Sequence, residues 1–166
     1  MFEKIRKMKN QKGFTLVELI VVLVILAILA AMLVPALTGY IDKANKEKVI
    51  AATRQVVMAA QTEVSEAYAS KPLKKTTITI NPASTSDKIS YGTGAGTKDD
   101  VDGEKIVKLA EVAKLAADGS TFDGLKNNIS KIEITYEANG HVSKVVLTQG
   151  TKTCTYSEST GAYDVP

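Results

Sequence analysis

The sequence predicts an α+β fold: one long amino-terminal helix, from about residue 15 to 69, packed on a carboxy-terminal antiparallel β-meander. Three observations carry the prediction. Sixteen consecutive residues, Leu19 to Val34, contain no polar side chain. Between Val49 and Ala67 apolar residues recur at spacings of three and four, the period of one helical face. Beyond residue 130 the apolar period becomes two, and turn pairs such as Asn139-Gly140, Gln149-Gly150 and Thr160-Gly161 separate the runs.

Composition removes several functions before any motif is considered. The 166 residues carry a formal charge of +3, placed unevenly. Five bases (Lys4, Arg6, Lys7, Lys9, Lys12) and one acid, Glu3, fall in the first thirteen residues, leaving 16 bases against 17 acids. No clustered basic surface of the kind phosphate backbones require is left, so no direct nucleic-acid binding is expected. One cysteine, Cys154, excludes an intrachain disulfide. With one histidine, His141, the chain lacks the nitrogen and sulfur ligands of a zinc site, and a nucleophile–base centre would rest on His141 alone. No metal and no cofactor are expected, and the chain reads as a non-enzyme.

The helix begins where the basic tract ends. Phe14 to Leu37 is 24 residues, about 36 Å at roughly 1.5 Å per residue, enough to cross a hydrocarbon core of about 30 Å. The alanines Ala27, Ala30 and Ala31 resemble a secretory cleavage site, but apolar character continues through Met32, Leu33 and Val34 and the helical period runs on. Five bases precede the span, and Lys43, Lys46 and Lys48 follow it, a bias that places the amino terminus in the cytoplasm. Two residues depart from an ordinary anchor. Glu18 puts a carboxylate in the apolar run, costing roughly 2.5–3.5 kcal/mol at mid-membrane; it either snorkels or protonates at the interface, or pairs with a cation of another chain. Pro35 removes a helical hydrogen bond and predicts a kink, with Gly39 loosening the helix just beyond.

The run Lys12-Gly13-Phe14-Thr15-Leu16-Val17-Glu18-Leu19-Ile20 resembles the class III signal of type IV prepilins and pseudopilins. The resemblance covers about a quarter of the chain. It implies that a prepilin peptidase cuts between Gly13 and Phe14 on the cytoplasmic side, N-methylates Phe14, and leaves the apolar segment in place. It implies that Glu18 meets the terminal amine of a neighbouring subunit's Phe14, and that Pro35 is the proline the family carries within this helix. A new amine at Phe14 is the kind of partner that makes a buried carboxylate tolerable, and removing one member of such a pair costs several kcal/mol.

The second half of the helix presents Leu37, Ile41, Val49, Ala52, Val56, Ala60, Val64 and Ala67, and Ser70 with Pro72 ends it. A helix of residues 15–69 is roughly 80 Å long and cannot bury itself. Residues 70–101 read as an irregular connection with a short strand at Thr77 to Ile80. Gly92, Gly94 and Gly96 lack the strand-to-helix context of a phosphate loop and read as a flexible turn. Asp99, Asp100, Asp102 and Glu104 invite a calcium reading. Aligning Gly103 with an EF-hand glycine puts Lys98 and Leu109 at ligand positions, so that loop fails. The acids read instead as the start of a helix reaching Ala117, with Ile106, Leu109, Ala110, Ala113 and Ala117 buried and Asp118-Gly119 at its end.

The meander follows as strands at Lys131 to Glu137, Val142 to Thr148, Thr151 to Ser157 and Ala162 to Val165. Asn139-Gly140 predicts a two-residue type I′ hairpin. His141 reads as an exposed turn residue, and Cys154 as a packed thiol where many relatives carry a cysteine pair. Asn128-Ile129-Ser130 matches a glycosylation sequon.

The expected organisation is a cleaved leader at 1–13, a transmembrane and assembly helix at 14–37, an amphipathic helix at 38–69, and a globular head at 70–166. The resemblance implies a type IV pilus subunit, with identical subunits, prepilin peptidase, the membrane and the membrane-embedded assembly machinery as partners. It implies a single-pass membrane precursor that becomes an extracellular filament serving adhesion, motility or related roles. Three other readings stand beside it: a pseudopilin of a type II secretion or DNA-uptake system, a membrane-anchored surface binding domain that never polymerises, and a small anchored enzyme.

Overall fold

The structure, a computed structural model, describes residues 13–82, 88–92, 97–117, 119 and 122–166. The leader before Gly13, Gly94 and Gly96 of the glycine-rich run, and Asp118 lie outside the described residues. The chain divides into two compact units, one through Lys43 and the other from Ala44 to Pro166.

Helix α1 runs from Leu16 to Ser70 without interruption. Pro35 stands inside it, and the Thr38 hydroxyl donates to the Pro35 carbonyl at 2.9 Å. In the first unit every described residue from Gly13 to Lys43 is exposed, including the whole apolar run. An apolar surface of that extent in one segment is stable only against lipid or other protein.

The second unit is an α+β sandwich whose core follows from two periodicities meeting. Its part of α1 buries Val49, Thr53, Val56, Ala60 and Val64, spaced by three and four. The Thr53 hydroxyl is satisfied by the Val49 carbonyl at 2.8 Å, so a polar residue sits in this stripe without an open donor. Six strands form the facing sheet: β1 (Thr76–Ile80), β2 (Ile89–Tyr91), β5 (Ile129–Tyr136), β6 (Val142–Gln149), β7 (Lys152–Ser157) and β8 (Ala162–Asp164). Their spatial order is β2-β1-β5-β6-β7-β8, every pair antiparallel. Alternation puts Ile78 opposite Ile134, Ile134 opposite Val145, and Leu147 opposite Cys154, all fully buried. The helix on the meander is therefore the predicted architecture. Because this core draws nothing from the first unit, a chain lacking residues 1–37 is expected to be a soluble monomer with cooperative unfolding, checked by ultracentrifugation and thermal denaturation. Aggregation of that fragment would contradict the division.

Three parts of the head differ from the sequence reading. The helix expected to reach Ala117 is α2, Gly103–Leu109, only seven residues. Asp102 caps its start, accepting from Glu104 and Lys105 N–H. Its end is a Schellman motif: Glu111 N–H donates to Lys108 O at 3.0 Å and Val112 N–H to Val107 O at 3.1 Å. The left-handed residue of that motif is Glu111, φ 58°, where glycine is usual, so no stop signal marks it in the sequence. The chain then turns into a two-stranded ribbon, β3 (Ala113–Leu115) with β4 (Phe122–Leu125). Ile106, Ala110 and Ala113 are buried as expected, whereas Leu109 and Ala117 are exposed.

The second difference is the turn between β5 and β6. Glu137 N–H donates to His141 O at 2.8 Å and Gly140 N–H to Glu137 O at 3.2 Å, with Gly140 alone at positive φ, +83°. This is a three-residue loop ending in a left-handed glycine rather than the two-residue type I′ turn. Gln61 of α1 selects it, donating to Gly140 O at 2.8 Å and accepting from Val142 N–H at 3.0 Å. A Cβ on Gly140 would stand 2.8 Å from Cγ of Tyr68, so glycine is required there twice over. The type I′ pattern occurs elsewhere. Asn127 and Asn128 both have positive φ (56° and 59°), closed by Ile129 N–H on Lys126 O at 3.1 Å. The third difference is β2, which lies in the stretch expected to be irregular.

Candidate assembly site

The amino-terminal end of α1 is set by a reciprocal pair. Thr15 is the N-cap, its carbonyl accepting the first helical bond from Leu19 N–H at 3.2 Å. The Thr15 hydroxyl oxygen accepts from Glu18 N–H at 3.2 Å, and Glu18 Oε2 accepts from Thr15 N–H at 3.0 Å. The hydroxyl also donates to Oε2, at 2.9 Å. Thr15-Leu16-Val17-Glu18 is therefore a capping box, in which N-cap and third helical residue satisfy each other's orphan N–H groups. A carboxylate in a first turn is further favoured by the helix dipole.

This gives Glu18 a local role that the sequence reading, choosing between snorkelling and a partner chain, did not include. The signal was present, because Thr followed three residues later by Glu before an apolar run is the sequence form of the box. All the bonds that Glu18 accepts here fall on one oxygen, Oε2, so its second oxygen is not engaged in the cap. Phe14 adjoins this box and is 83% exposed. Between Phe14 and Ile41, Glu18 is the sole charged side chain. The described residues thus bring together Gly13, Phe14 and Glu18 at the helix start, while Pro35 and Gly39 lie inside the helix and away from the box.

The head's other candidate residues are absorbed by structure. Besides the Asp102 cap, Asp100 pairs with Lys71, and that bond holds its carboxyl below the usual value. Glu104 pairs with Lys108 at 2.8 Å and its carboxyl is likewise held low, chiefly by that lysine. His141 is exposed on its turn, with Nδ1 3.0 Å from Glu158 Oε1. Cys154 is fully buried against α1, and burial pushes its thiol up although Thr53 hydrogen-bonds to it. Asn128 of the sequon is exposed on the type I′ turn, and Ser130 Oγ donates to Thr148 O at 3.5 Å.

A family model described as the prokaryotic N-terminal methylation motif matches residues 8–34, the stretch that contains the Gly13-Phe14 junction, the capping box and most of the apolar run. No characterised protein and no solved structure matches the chain.

Proposed function

From a methylation motif that runs directly into a long exposed apolar helix, a combination that fits a type IV pilin or pseudopilin, we propose that this chain is a type IV pilus subunit. The precursor sits in the membrane through residues 14–37 with its amino terminus in the cytoplasm. Prepilin peptidase removes residues 1–13 and methylates the amine of Phe14. The assembly machinery then moves subunits from lipid into a helical homopolymer built on their amino-terminal helices, with Pro35 and Gly39 as the points where each helix adapts its course.

The docking step of this reading is supported by the lone carboxylate in an otherwise uncharged segment. In lipid, Glu18 keeps Oε2 in the capping box, which offsets part of the cost of placing it there. In the polymer its second oxygen accepts from the Phe14 amine of a neighbouring subunit, so one carboxylate caps its own helix and docks another. Apolar surroundings make such a pair selective, because an incoming subunit out of register would leave a charge unpaired. The chain is a structural subunit, and its chemistry is confined to the processing of its own terminus.

Electron microscopy of cells with and without the gene tests the proposal. Surface filaments that disappear on deletion and return on complementation are expected. Unchanged filaments, with the chain confined to the membrane, would move the reading to the pseudopilin or to the non-polymerising anchor.

A further inference from the structure

We propose that Asn139-Gly140 is a latent self-modification site, converted with water to an isoaspartyl linkage and ammonia, and that Gln61 of α1 holds the conversion in check. Asn139 is the one asparagine of the chain followed by glycine. A glycine nitrogen has no Cβ beside it, so its approach to the side-chain carbonyl carbon one residue back is unshielded. Asn139 is exposed on the β5–β6 loop, whereas Gly140 is buried. The reaction needs only the chain and water. Gly140 N gives up its proton and bonds to Cγ of Asn139, the Cγ–Nδ2 bond breaks, and Nδ2 leaves with a proton as ammonia. Water then opens the five-membered imide. Opening at the Asn139 backbone carbonyl leaves the main chain running through Cγ, with one added methylene and a free carboxylate.

The native loop withholds the geometry that this attack requires. The peptide plane between Asn139 and Gly140 must turn its nitrogen toward Cγ. Gly140 N–H instead donates to Glu137 O at 3.2 Å, and Asn139 Oδ1 accepts from His141 N–H at 3.2 Å. Gln61 fixes this arrangement from α1: its Nε2 donates to Gly140 O at 2.8 Å and its Oε1 accepts from Val142 N–H at 3.0 Å. Nε2 also donates to Ser65 Oγ at 3.0 Å, so every polar atom of the Gln61 amide is engaged and none of its bonds survives a flip. Tyr68 packs on Gly140 so closely that a Cβ there would lie 2.8 Å from its Cγ, leaving the loop no room on that side. The near-attack arrangement is therefore reached only when the contacts with α1 release.

Conversion runs one way. The added methylene falls between Glu137 O and Gly140 N–H, the pair whose bond closes the loop. The new carboxylate joins Glu137 and Glu158, which already lie on either side of His141: Glu137 N–H donates to His141 O at 2.8 Å, and Glu158 Oε1 is 3.0 Å from His141 Nδ1. A longer, more acidic loop displaces Gly140 O from Gln61 and cannot latch again. The site thus records, irreversibly, that the β5–β6 loop has come away from α1. This holds for the head by itself and is independent of membrane insertion and of polymerisation.

The test incubates the full chain in neutral detergent at physiological pH and follows Asn139 by peptide mapping that separates asparaginyl, aspartyl and isoaspartyl forms. The native chain is expected to convert about a hundredfold more slowly than the same chain unfolded in urea. Gln61→Met keeps the bulk of the side chain without its amide and should convert about tenfold faster than native. Ser65→Ala, which frees the Gln61 amide without touching the loop, should fall between the two. Thr62→Ala removes a hydroxyl bonded only within α1, to Met58 O at 3.0 Å, and should leave the rate unchanged. Hydrogen exchange read on the same samples separates release of the loop from loss of the fold. The β6–β7 ladder should stay protected in the variants, and Val142 N–H should lose protection in converted chains. Equal rates for the native and unfolded chains would overturn the proposal. So would a native rate in both Gln61→Met and Ser65→Ala, or full protection of Val142 N–H after conversion.

Discussion

Glu18→Ala and Glu18→Gln should both be processed and inserted normally, yet both should be depleted from filaments by about a hundredfold or more when co-expressed with the native chain. The magnitude follows from the about 3–5 kcal/mol cost of removing one member of a buried charge pair, with about 1.4 kcal/mol for each tenfold. The two variants separate the two roles of the residue. Alanine removes both the cap and the charge. Glutamine keeps the capping box, which accepts Gln at that position, and removes only the charge. The measurement is the variant fraction in sheared filaments relative to the membrane pool, by mass spectrometry. If Glu18→Gln enters at the native ratio while Glu18→Ala does not, capping by Thr15 and Glu18 accounts for the residue and the docking role falls.

Leu147→Ala should cost the head about 2–5 kcal/mol, a large share of the about 5–15 kcal/mol that holds a domain of ordinary stability. Leu147 is fully buried in the middle of the sheet, paired with Cys154 on one side and Ile132 on the other. Truncating it opens a cavity between β6 and the Val49 to Val64 stripe, where the helix and both neighbouring strands are fixed by their own ladders and relax little. Leu115→Ala is the matched control, because Leu115 is 39% exposed on the small β3–β4 ribbon and should lose under about 1 kcal/mol. Urea unfolding of the residue 38–166 fragment compares them. Equal losses would mean that the helix-on-sheet core is not what stabilises the head.

The sequence showed most of this fold because two of its periods are long and unbroken. Sixteen apolar residues and then a three-and-four stripe leave no reading but a helix, and α1 ends at Ser70, one residue beyond expectation. The meander was legible because Ile132, Ile134 and Tyr136 alternate in β5 and because turn pairs separate β5, β6 and β7, strands of six to eight residues. What was not legible was short or set by tertiary contact. β2 and β3 have three residues each, too few to establish a period. The end of α2 carries glutamate where a glycine would have announced it. Asn139-Gly140 forms a longer loop because Gln61, 79 residues away from Gly140, binds both of its ends. At the candidate site, Gly13, Phe14 and Glu18 stand out in the sequence through their spacing. Thr15 does not, since a charge in an apolar run points to a partner charge before a local cap.

The proposed function requires that the chain be cut between Gly13 and Phe14 and kept with its apolar segment intact. Intact-mass and amino-terminal peptide analysis of the chain recovered from sheared surface filaments tests it most directly. The expected species begins at Phe14, carries one methyl group on its terminal amine and retains the apolar segment. A terminus following Ala30 or Ala31, or a filament fraction from which the chain is missing, would contradict it.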